Sequence, residues 1–260
     1  MSRSKQARNP LLNTNIHSMY HHDGLQTVHN SSFLENAAFK DAYSYTRDLI
    51  GKDYDWMWRN YIGISLASNA RHNSLNFVEC GVGEGWMSIS ILRYFARNYN
   101  ITPSITLFDT WSGIDEKIVD PEEIDYWGCS VKERKAAYIY ENSSFTETRD
   151  RILKTALHPR KIEFVQGSIP KSLTGEVINR INGKGPVSFL HIDMNNSVPE
   201  VSAMEKLYPI VSKGGIILLD DYAYVGYEFQ KQKIDLFCDS ISIDHPIALP
   251  SGQGLLIRTT

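Results

Sequence analysis

The feature that most constrains the fold is a strand-like segment that runs directly into a glycine-rich loop and then into a helix-like segment. Residues 75–80 have the character of a buried strand, the glycines of GVGEG follow at 81–85, and residues 86–98 carry an apolar helical stripe. A second strand-like segment at 105–108 completes a unit of about 30 residues, the size expected for two parallel strands joined by a helix. The sequence therefore predicts an α/β fold built on a parallel sheet.

Strand-like and helix-like segments continue to alternate towards the end of the chain. The further predicted strands are 161–165, 187–193 and 216–219, and the further predicted helices are 173–181, 198–211 and 229–237. Two short strand-like segments, around 241–247 and 254–257, have the spacing of an antiparallel hairpin. We therefore expect a mostly parallel, Rossmann-like sheet that ends in an antiparallel hairpin.

The chain has 260 residues, and the length beyond such a sheet falls into three segments. Residues 1–32 are polar and interrupted by proline and glycine, which predicts a mobile arm or a surface strap. Residues 33–72 show helical spacing of apolar side chains and predict a helical cap, whereas the polar, aromatic residues 111–145 predict an inserted lid. We expect a single domain over 33–260 that carries both the cap and the lid.

The charge balance and the composition exclude several classes of protein. With 27 Lys+Arg and 30 Asp+Glu the net charge is −3, which is unlike that of a basic nucleic-acid-binding protein. No stretch approaches the ~18 consecutive apolar residues of a membrane span, and the N-terminal residues lack the apolar core of a signal peptide. The cysteines are too far apart to predict a disulfide framework or a zinc site. We therefore expect a cytoplasmic protein without a nucleic-acid or membrane partner.

The glycine loop is the first candidate for a ligand site, because ligands of open parallel sheets lie beyond the carboxyl ends of the strands. Gly81 and Gly83 allow the backbone to approach a ligand closely, and the following helix begins with free amides. The GxGxG spacing and the charge of Glu84 disfavour the pyrophosphate of a dinucleotide. Glu79, which precedes the glycines, is better suited to bind an amino group.

The next two strands also end in residues that can bind a nucleoside. Asp109 can accept the two hydroxyls of a ribose, which both NAD and S-adenosylmethionine contain, and Trp111 can line an adenine pocket. After the third strand, Gln166, Gly167 and Ser168 lie where an adenine edge would be recognised. These five residues are the predicted nucleoside side of the site.

Three carboxylates follow the last two parallel strands, Asp193 after one and Asp220 and Asp221 after the other. Carboxylates so close repel one another unless a cation compensates them, and an all-oxygen set of ligands favours Mg²⁺. A divalent ion beside a cosubstrate indicates activation of a hydroxyl group. Asp193, His191 on the same strand face and His245 near the last hairpin are the alternatives for a general base.

Several segments together carry a resemblance to one enzyme family. They are VECGVGEG, LFDTWSGI, FVQGSI, FLHIDMN and AMEKLYPIVSKGGIILLDDY. From about Asn76 to Phe237 the chain resembles the class I S-adenosylmethionine-dependent methyltransferases of the macrocin O-methyltransferase family, which methylate sugar hydroxyls on macrolide antibiotics. The most distinctive part is the succession of LYP, GG and DDY.

The resemblance implies a class I methyltransferase sheet and an O-methyltransferase of natural-product biosynthesis that acts on a sugar or a glycosylated small molecule. It further implies S-adenosylmethionine at Glu79, Gly81 and Asp109, Mg²⁺ at Asp193, Asp220 and Asp221, and deprotonation of the acceptor close to Asp193. Family members are usually oligomeric, so a homo-oligomer is expected.

The chain departs from the family pattern at two places, and two other functions stay open. Asn195 stands where the family has a second acid, and the loop at 82–85 differs from the family's Trp-Arg-Gly-Gly. One alternative is an NAD-dependent oxidoreductase, favoured by Asp109 but opposed by the glycine spacing and by the absence of a Tyr-x-x-x-Lys pair. The other is a non-catalytic ligand-binding protein, which would have no need for three mutually repelling carboxylates.

Overall fold

The structure, a computed structural model, describes residues 20–137 and 144–259. Its strands are β1 (Tyr20–His22), β2 (Leu25–Thr27), β3 (Asn76–Cys80), β4 (Ser104–Asp109), β5 (Ile162–Gln166), β6 (Val187–Ile192), β7 (Val211–Leu219), β8 (Ile247–Ala248) and β9 (Gly254–Ile257). Its α-helices are α1 (Ala37–Ile50), α2 (Met57–Ala70), α3 (Trp86–Tyr99), α4 (Pro121–Trp127), α5 (Val131–Ala137), α6 (Phe145–Thr155), α7 (Gly175–Asn182), α8 (Ser197–Leu207) and α9 (Glu228–Ser240).

The central sheet has seven strands in the order β5-β4-β3-β6-β7-β9-β8. Strands β3 to β7 are parallel, whereas β9 pairs antiparallel with both β7 and β8. The chain runs outward from β3 to β5 and then returns to place β6 on the other side of β3. This reversal opens a crevice at the carboxyl ends of β3 and β6, which is where ligands of such sheets bind. The predicted fold class, a mostly parallel sheet with an antiparallel C-terminal hairpin, is confirmed.

The helical cap follows from local sequence signals. Helix α1 begins after Asn36, whose side chain accepts hydrogen bonds from the amides of Ala38 and Phe39. It ends at Gly51, which adopts a left-handed conformation with φ of 83°. Helix α1 packs on α3, and α2 packs on α3 and on β6 and β7. The cap therefore covers one face of the sheet beside the crevice.

The N-terminal segment and the edges of the sheet differ from the predictions. Residues 20–27 form a hairpin whose Tyr20 is 2% exposed and packs against Trp58, so this part of the predicted arm is a strap on the cap. Strand β7 begins at Val211, before the predicted start at 216, because Gly214 and Gly215 bond with the backbone of Arg258.

The predicted lid contains α4, α5 and a short 3₁₀ helix at Glu116–Ile118. Its residues 138–143, like the arm residues 1–19, lie outside the described part of the chain. None of the described helices combines the length and the apolar character needed to cross a membrane.

Candidate active site

A cavity of about 170 Å³ lies at the carboxyl ends of β3, β4, β5, β6 and β7. Helix α2 of the cap and the 3₁₀ and α5 segments of the lid contribute to its walls. The predicted residues that line it are Glu79, Gly81, Gly83, Asp109, Trp111, Gly167, Ser168, His191, Asp193 and Asp220. The lining does not include Asp221, which is buried next to Asp220, or Gln166, which is exposed.

The glycine loop passes so close to β6 that only glycine fits its first position. A Cβ atom on Gly81 would lie 1.7 Å from the backbone oxygen of Asp193, and the φ of Gly81 is 85°. The amides of Val82 and Gly83 donate to Oδ2 of Asp109, at 2.7 and 2.8 Å. The glycine loop is thus held between the ends of β4 and β6.

Asp109 has a second role besides the one that the sequence predicted. Its Oδ1 accepts a further hydrogen bond from the amide of Trp111, at 2.6 Å. A carboxylate oxygen offers two lone pairs, so the three backbone donors fill Oδ2 and leave one acceptor position on Oδ1. Asp109 therefore organises the glycine loop and retains the capacity to accept one hydroxyl of a ribose.

Glu84 lines the cavity and is bonded to the cap. Its carboxylate bonds Lys52 Nζ at 3.1 Å and accepts a hydrogen bond from the hydroxyl of Tyr54 at 2.6 Å. Lys52 and Tyr54 belong to the loop that joins α1 to α2. The carboxylate of Glu84, whose charge disfavours a bound pyrophosphate, therefore links the loop between α1 and α2 to the glycine loop.

The predicted adenine side of the cavity is aromatic, and one of its hydrogen-bond donors has no partner among the described residues. Trp111 packs against Phe145 with ring centroids 4.7 Å apart, and its indole Nε1 is buried with no hydrogen-bond partner among the described residues. The hydroxyl of Ser168 donates to Asp115 at 2.7 Å, so Asp115 of the lid joins this wall. Trp111, Gly167, Ser168 and Asp115 together form this wall of the cavity.

The acidic side of the cavity contains a cation that the sequence did not predict. Arg59 of α2 is 7% exposed and donates from Nη1 to Oδ2 of Asp220 and, at 3.3 Å, to Oδ1 of Asp221. Its Nε donates to Asp23, in the turn of the N-terminal hairpin, at 3.2 Å. Arg59 lies outside the sheet in a helix of ordinary composition, so no local sequence pattern marked it.

His191 is enclosed between two carboxylates. Its Nδ1 lies 3.1 Å from Glu79 and its Nε2 lies 3.5 Å from Asp220. Burial alone would lower the pKa of His191, but the hydrogen bonds and charges of Asp220 and Glu79 outweigh it and raise the pKa to about 10. The ring is therefore a cation at neutral pH and has no free lone pair to act as a general base.

The three aspartates differ in protonation because their neighbours differ. Burial, together with the charges of Asp220 and Asp221, raises the pKa of Asp193 well above its usual range. Burial also acts on Asp220, but Arg59 and His191 outweigh it and hold the pKa of Asp220 below its usual range. The pKa of Asp221 rises to about 6, through burial and the charge of Asp220, despite the opposing charge of Arg59.

Asp193 is the acid that faces the cavity without a partner. Among the described residues none donates a hydrogen bond to its carboxylate, which lines the cavity. Two residues further on, Asn195 has a φ of 60° and turns the chain. A carboxylate with a raised pKa is a stronger proton acceptor once it is ionised. His245, the third candidate base, bonds Asp239 at 2.8 Å and does not line the cavity.

The predicted magnesium site does not fit this arrangement. The structure brings Asp193, Asp220 and Asp221 together as expected, but Arg59 bonds two of the three carboxylates. Within residues 20–137 and 144–259, no group of three or more His, Cys, Asp or Glu side chains is arranged to hold a metal ion. The cations that compensate these carboxylates in this structure are the side chains of Arg59 and His191.

Comparison with known proteins identifies the family of this chain. The methyltransferase-domain family matches residues 78–222, which include the carboxyl ends of all five parallel strands. The chain belongs to this methyltransferase family. The membership decides against the NAD-dependent oxidoreductase alternative. No curated protein matches the chain at a significant level.

Solved structures support the same fold. The O-methyltransferase NovP is 17% identical over 89% of this chain and 100% of its own, with a TM-score of 0.64. The calicheamicin methyltransferase CalS11 is 13% identical over 88% of this chain and 94% of its own, with a TM-score of 0.56. At these identities the likeness establishes the class I methyltransferase fold of the chain.

Proposed function

We propose that this methyltransferase moves the methyl group of S-adenosylmethionine to a hydroxyl of a small acceptor, a sugar or a glycosylated metabolite. The observation that carries the proposal is one cavity that joins the glycine loop to Asp193, a carboxylate without a hydrogen-bond partner among the described residues. The cosubstrate supplies an electrophilic methyl group, so the protein has to orient a hydroxyl and accept its proton.

The nucleoside half of the cosubstrate fits the wall formed by Trp111, Gly167 and Ser168. Oδ1 of Asp109 has one acceptor position for a ribose hydroxyl, and the indole Nε1 of Trp111 is a buried donor without a partner among the described residues. A buried polar atom without a partner costs about 1–3 kcal/mol, which a bound ligand removes by hydrogen bonding to it. This wall therefore supports an adenosine-containing ligand.

The amino-acid half of the cosubstrate fits the opposite end of the glycine loop. There Trp86 Nε1, a donor, and Asn60 Oδ1, an acceptor, are both buried in the cavity lining and unpaired within the described residues. A carboxylate accepts from an indole NH, and an ammonium group donates to an amide oxygen. Glu79, predicted to bind the amino group, lines the same region while it bonds His191 and Ser88.

The chemistry assigned to the protein is a proton transfer coupled to methyl transfer. The acceptor oxygen forms a bond to the methyl carbon, the sulfur–methyl bond breaks with its electron pair moving to sulfur, and the hydroxyl proton passes to Asp193. Positioning of the two substrates supplies most of the rate acceleration. The magnesium dependence expected from the sequence is not part of this proposal, because Arg59 bonds Asp220 and Asp221.

A sugar acceptor is supported by the family resemblance and by one structural neighbour. CalS11 is described as a TDP-rhamnose 3′-O-methyltransferase, and its unliganded form aligns with this chain at a TM-score of 0.50 and 14% identity. Asn195, which lines the acceptor side, accepts a hydrogen bond from the hydroxyl of Tyr227 at 3.0 Å. Because the amide of Asn195 is uncharged, Asp193 is the residue of this pair that can act as a base.

The proposal is tested with labelled S-adenosylmethionine, a panel of nucleotide sugars, glycosylated metabolites and catechols, and the variant Asp193→Asn. We expect label transfer to a hydroxyl, and a loss of about 10²–10⁴ in kcat for Asp193→Asn with unchanged cosubstrate affinity by calorimetry. Asp48→Asn, an exposed change on α1, is the control. Failure to bind S-adenosylmethionine would refute the cosubstrate, and a near-normal rate for Asp193→Asn would refute the base. Binding without transfer would favour the non-catalytic alternative.

A further inference from the structure

Arg59 is held on every side by groups from distant parts of the chain. Its guanidinium bonds Asp23 of the N-terminal hairpin and both acids that follow β7. It also lies over the ring of Tyr224 at 4.9 Å and near the ring of Trp56 at 5.9 Å. Such enclosure fixes a planar cation and leaves it little freedom to move aside.

The neighbours of Arg59 are themselves linked. The hydroxyl of Tyr224 donates to Asp23 at 3.4 Å, and Gln253 donates to Oδ1 of Asp220 at 2.8 Å. Asp220 therefore has one oxygen bonded to Arg59 and the other bonded to Gln253 and, at 3.5 Å, to His191. Few lone pairs of Asp220 stay available to a metal ion, which requires direct oxygen ligands at 2.0–2.1 Å in the case of Mg²⁺.

We propose that Arg59 is the permanent cation of the acceptor site, so that this methyltransferase binds no divalent ion there and works without one. The inference rests on the proposed function for its catalytic consequence, but not for its prediction about metal binding. Arg59 acts through Asp220 and Asp221, beside Asp193, and is therefore a positioning residue. A guanidinium supplies a fixed positive charge and directed hydrogen bonds. It can therefore neutralise and orient carboxylates, as a metal ion does by charge and coordination.

The carboxylates around Arg59 and His191 are already paired with these two side chains. Arg59 and His191 contribute two positive charges, and they face the carboxylates of Glu79, Asp23, Asp220 and Asp221. Addition of a divalent ion would require Arg59 to leave, because a guanidinium and Mg²⁺ at the same oxygens repel each other strongly in a buried site. Removal of Arg59 should therefore create the metal site that the acidic residues alone predict.

The test measures metal binding directly, by titration with Mn²⁺ followed by electron paramagnetic resonance and by calorimetry with Mg²⁺. We expect the unmodified protein and Arg59→Lys to bind neither ion at this site, and Arg59→Met to bind one Mn²⁺. The double variant Arg59→Met with Asp220→Asn should lose that binding. Stoichiometric binding by the unmodified protein, abolished by Asp220→Asn, would overturn the proposal even if Arg59→Met does not fold.

Activity provides the second readout, once an acceptor is known. We expect EDTA and added Mg²⁺ to change the kcat/KM of the unmodified protein by less than about twofold, and Arg59→Met to lower it by about 10²-fold. Loss of activity in EDTA that Mg²⁺ restores would contradict the proposal. If no acceptor is methylated, the proposed function fails, whereas the Mn²⁺ titration still decides whether Arg59 excludes a metal.

Discussion

Glu123 joins the lid to the acceptor side of the cavity. Its replacement by alanine should lower the stability of the fold and weaken binding of the acceptor. The side chain lies in α4 and is fully buried, at 0% exposure. Its carboxylate accepts hydrogen bonds from the amide of Ser197, at 2.9 Å from Oε2, and from the hydroxyl of Ser197 at 2.7 Å. Because Ser197 is the first residue of α8, the lid provides the anion at the N-terminus of this helix.

The size of the effect follows from these contacts. Each hydrogen bond to a charged group contributes about 1.5–3 kcal/mol, and the helix terminus adds about 0.3–1 kcal/mol. Burial opposes them, since it raises the pKa of Glu123 and disfavours its ionised form. We therefore expect Glu123→Ala to lower the free energy of unfolding by ~2–4 kcal/mol, which for a chain of this length lowers Tm by roughly 4–16 °C.

Glu122→Ala is the matched control, because the neighbouring side chain is 77% exposed and lies 3.6 Å from Lys233. An exposed pair of this kind contributes less than about 1 kcal/mol. Thermal unfolding followed by circular dichroism compares the two variants, and kinetics should give Glu123→Ala a raised KM for the acceptor. If the Tm of Glu123→Ala equals that of Glu122→Ala, Glu123 does not cap α8.

Two further predictions concern the glycine loop and a buried acid. Gly81→Ala should lower the free energy of unfolding in urea far more than Gly83→Ala does. Both glycines have positive φ, but only a Cβ at Gly81 would meet the backbone of Asp193. Equal decreases in the free energy of unfolding would contradict this prediction. Burial raises the pKa of Glu200 to about 8, so the folded chain holds this proton more tightly than the unfolded chain. Its contribution to stability therefore falls as pH rises from the unfolded pKa to about 8, and Glu200→Gln should flatten that slope in urea unfolding across this range. An unchanged slope would refute the assignment.

The parts of the fold that could be predicted are those with a local signal. Strand β3, the glycine loop and the start of α3 follow from apolar runs and glycine spacing, and the strand-end position of Asp109 follows from them. The convergence of Asp193 with Asp220 and Asp221 also follows, because the ends of neighbouring parallel strands share one edge.

The parts that could not be predicted depend on packing between distant segments. The position of Arg59 is set by how α2 lies against β6 and β7, and that of Asp23 by how the hairpin folds onto the cap. Gln166 has the right residue type at the right strand end, yet it is exposed and does not line the cavity, because β5 is the edge strand and is flanked on one side only, by β4. The periodicity of apolar residues predicts helices and strands, but it does not predict contacts between side chains that are more than 150 positions apart in the sequence.

The contact between Arg59 and Asp220 spans 161 positions of the chain and joins the cap to the sheet. If a substitution neutralises one partner, the other stays charged and enclosed, at a cost of about 3–5 kcal/mol, so neither position can drift alone. In related chains the two positions should change together, as a pair or not at all. Where arginine is missing at the first position, the acids after the last parallel strand should be found with a metal ion. The identity of this one cap residue would then divide the family into members whose acids pair with arginine and members whose acids bind a metal ion.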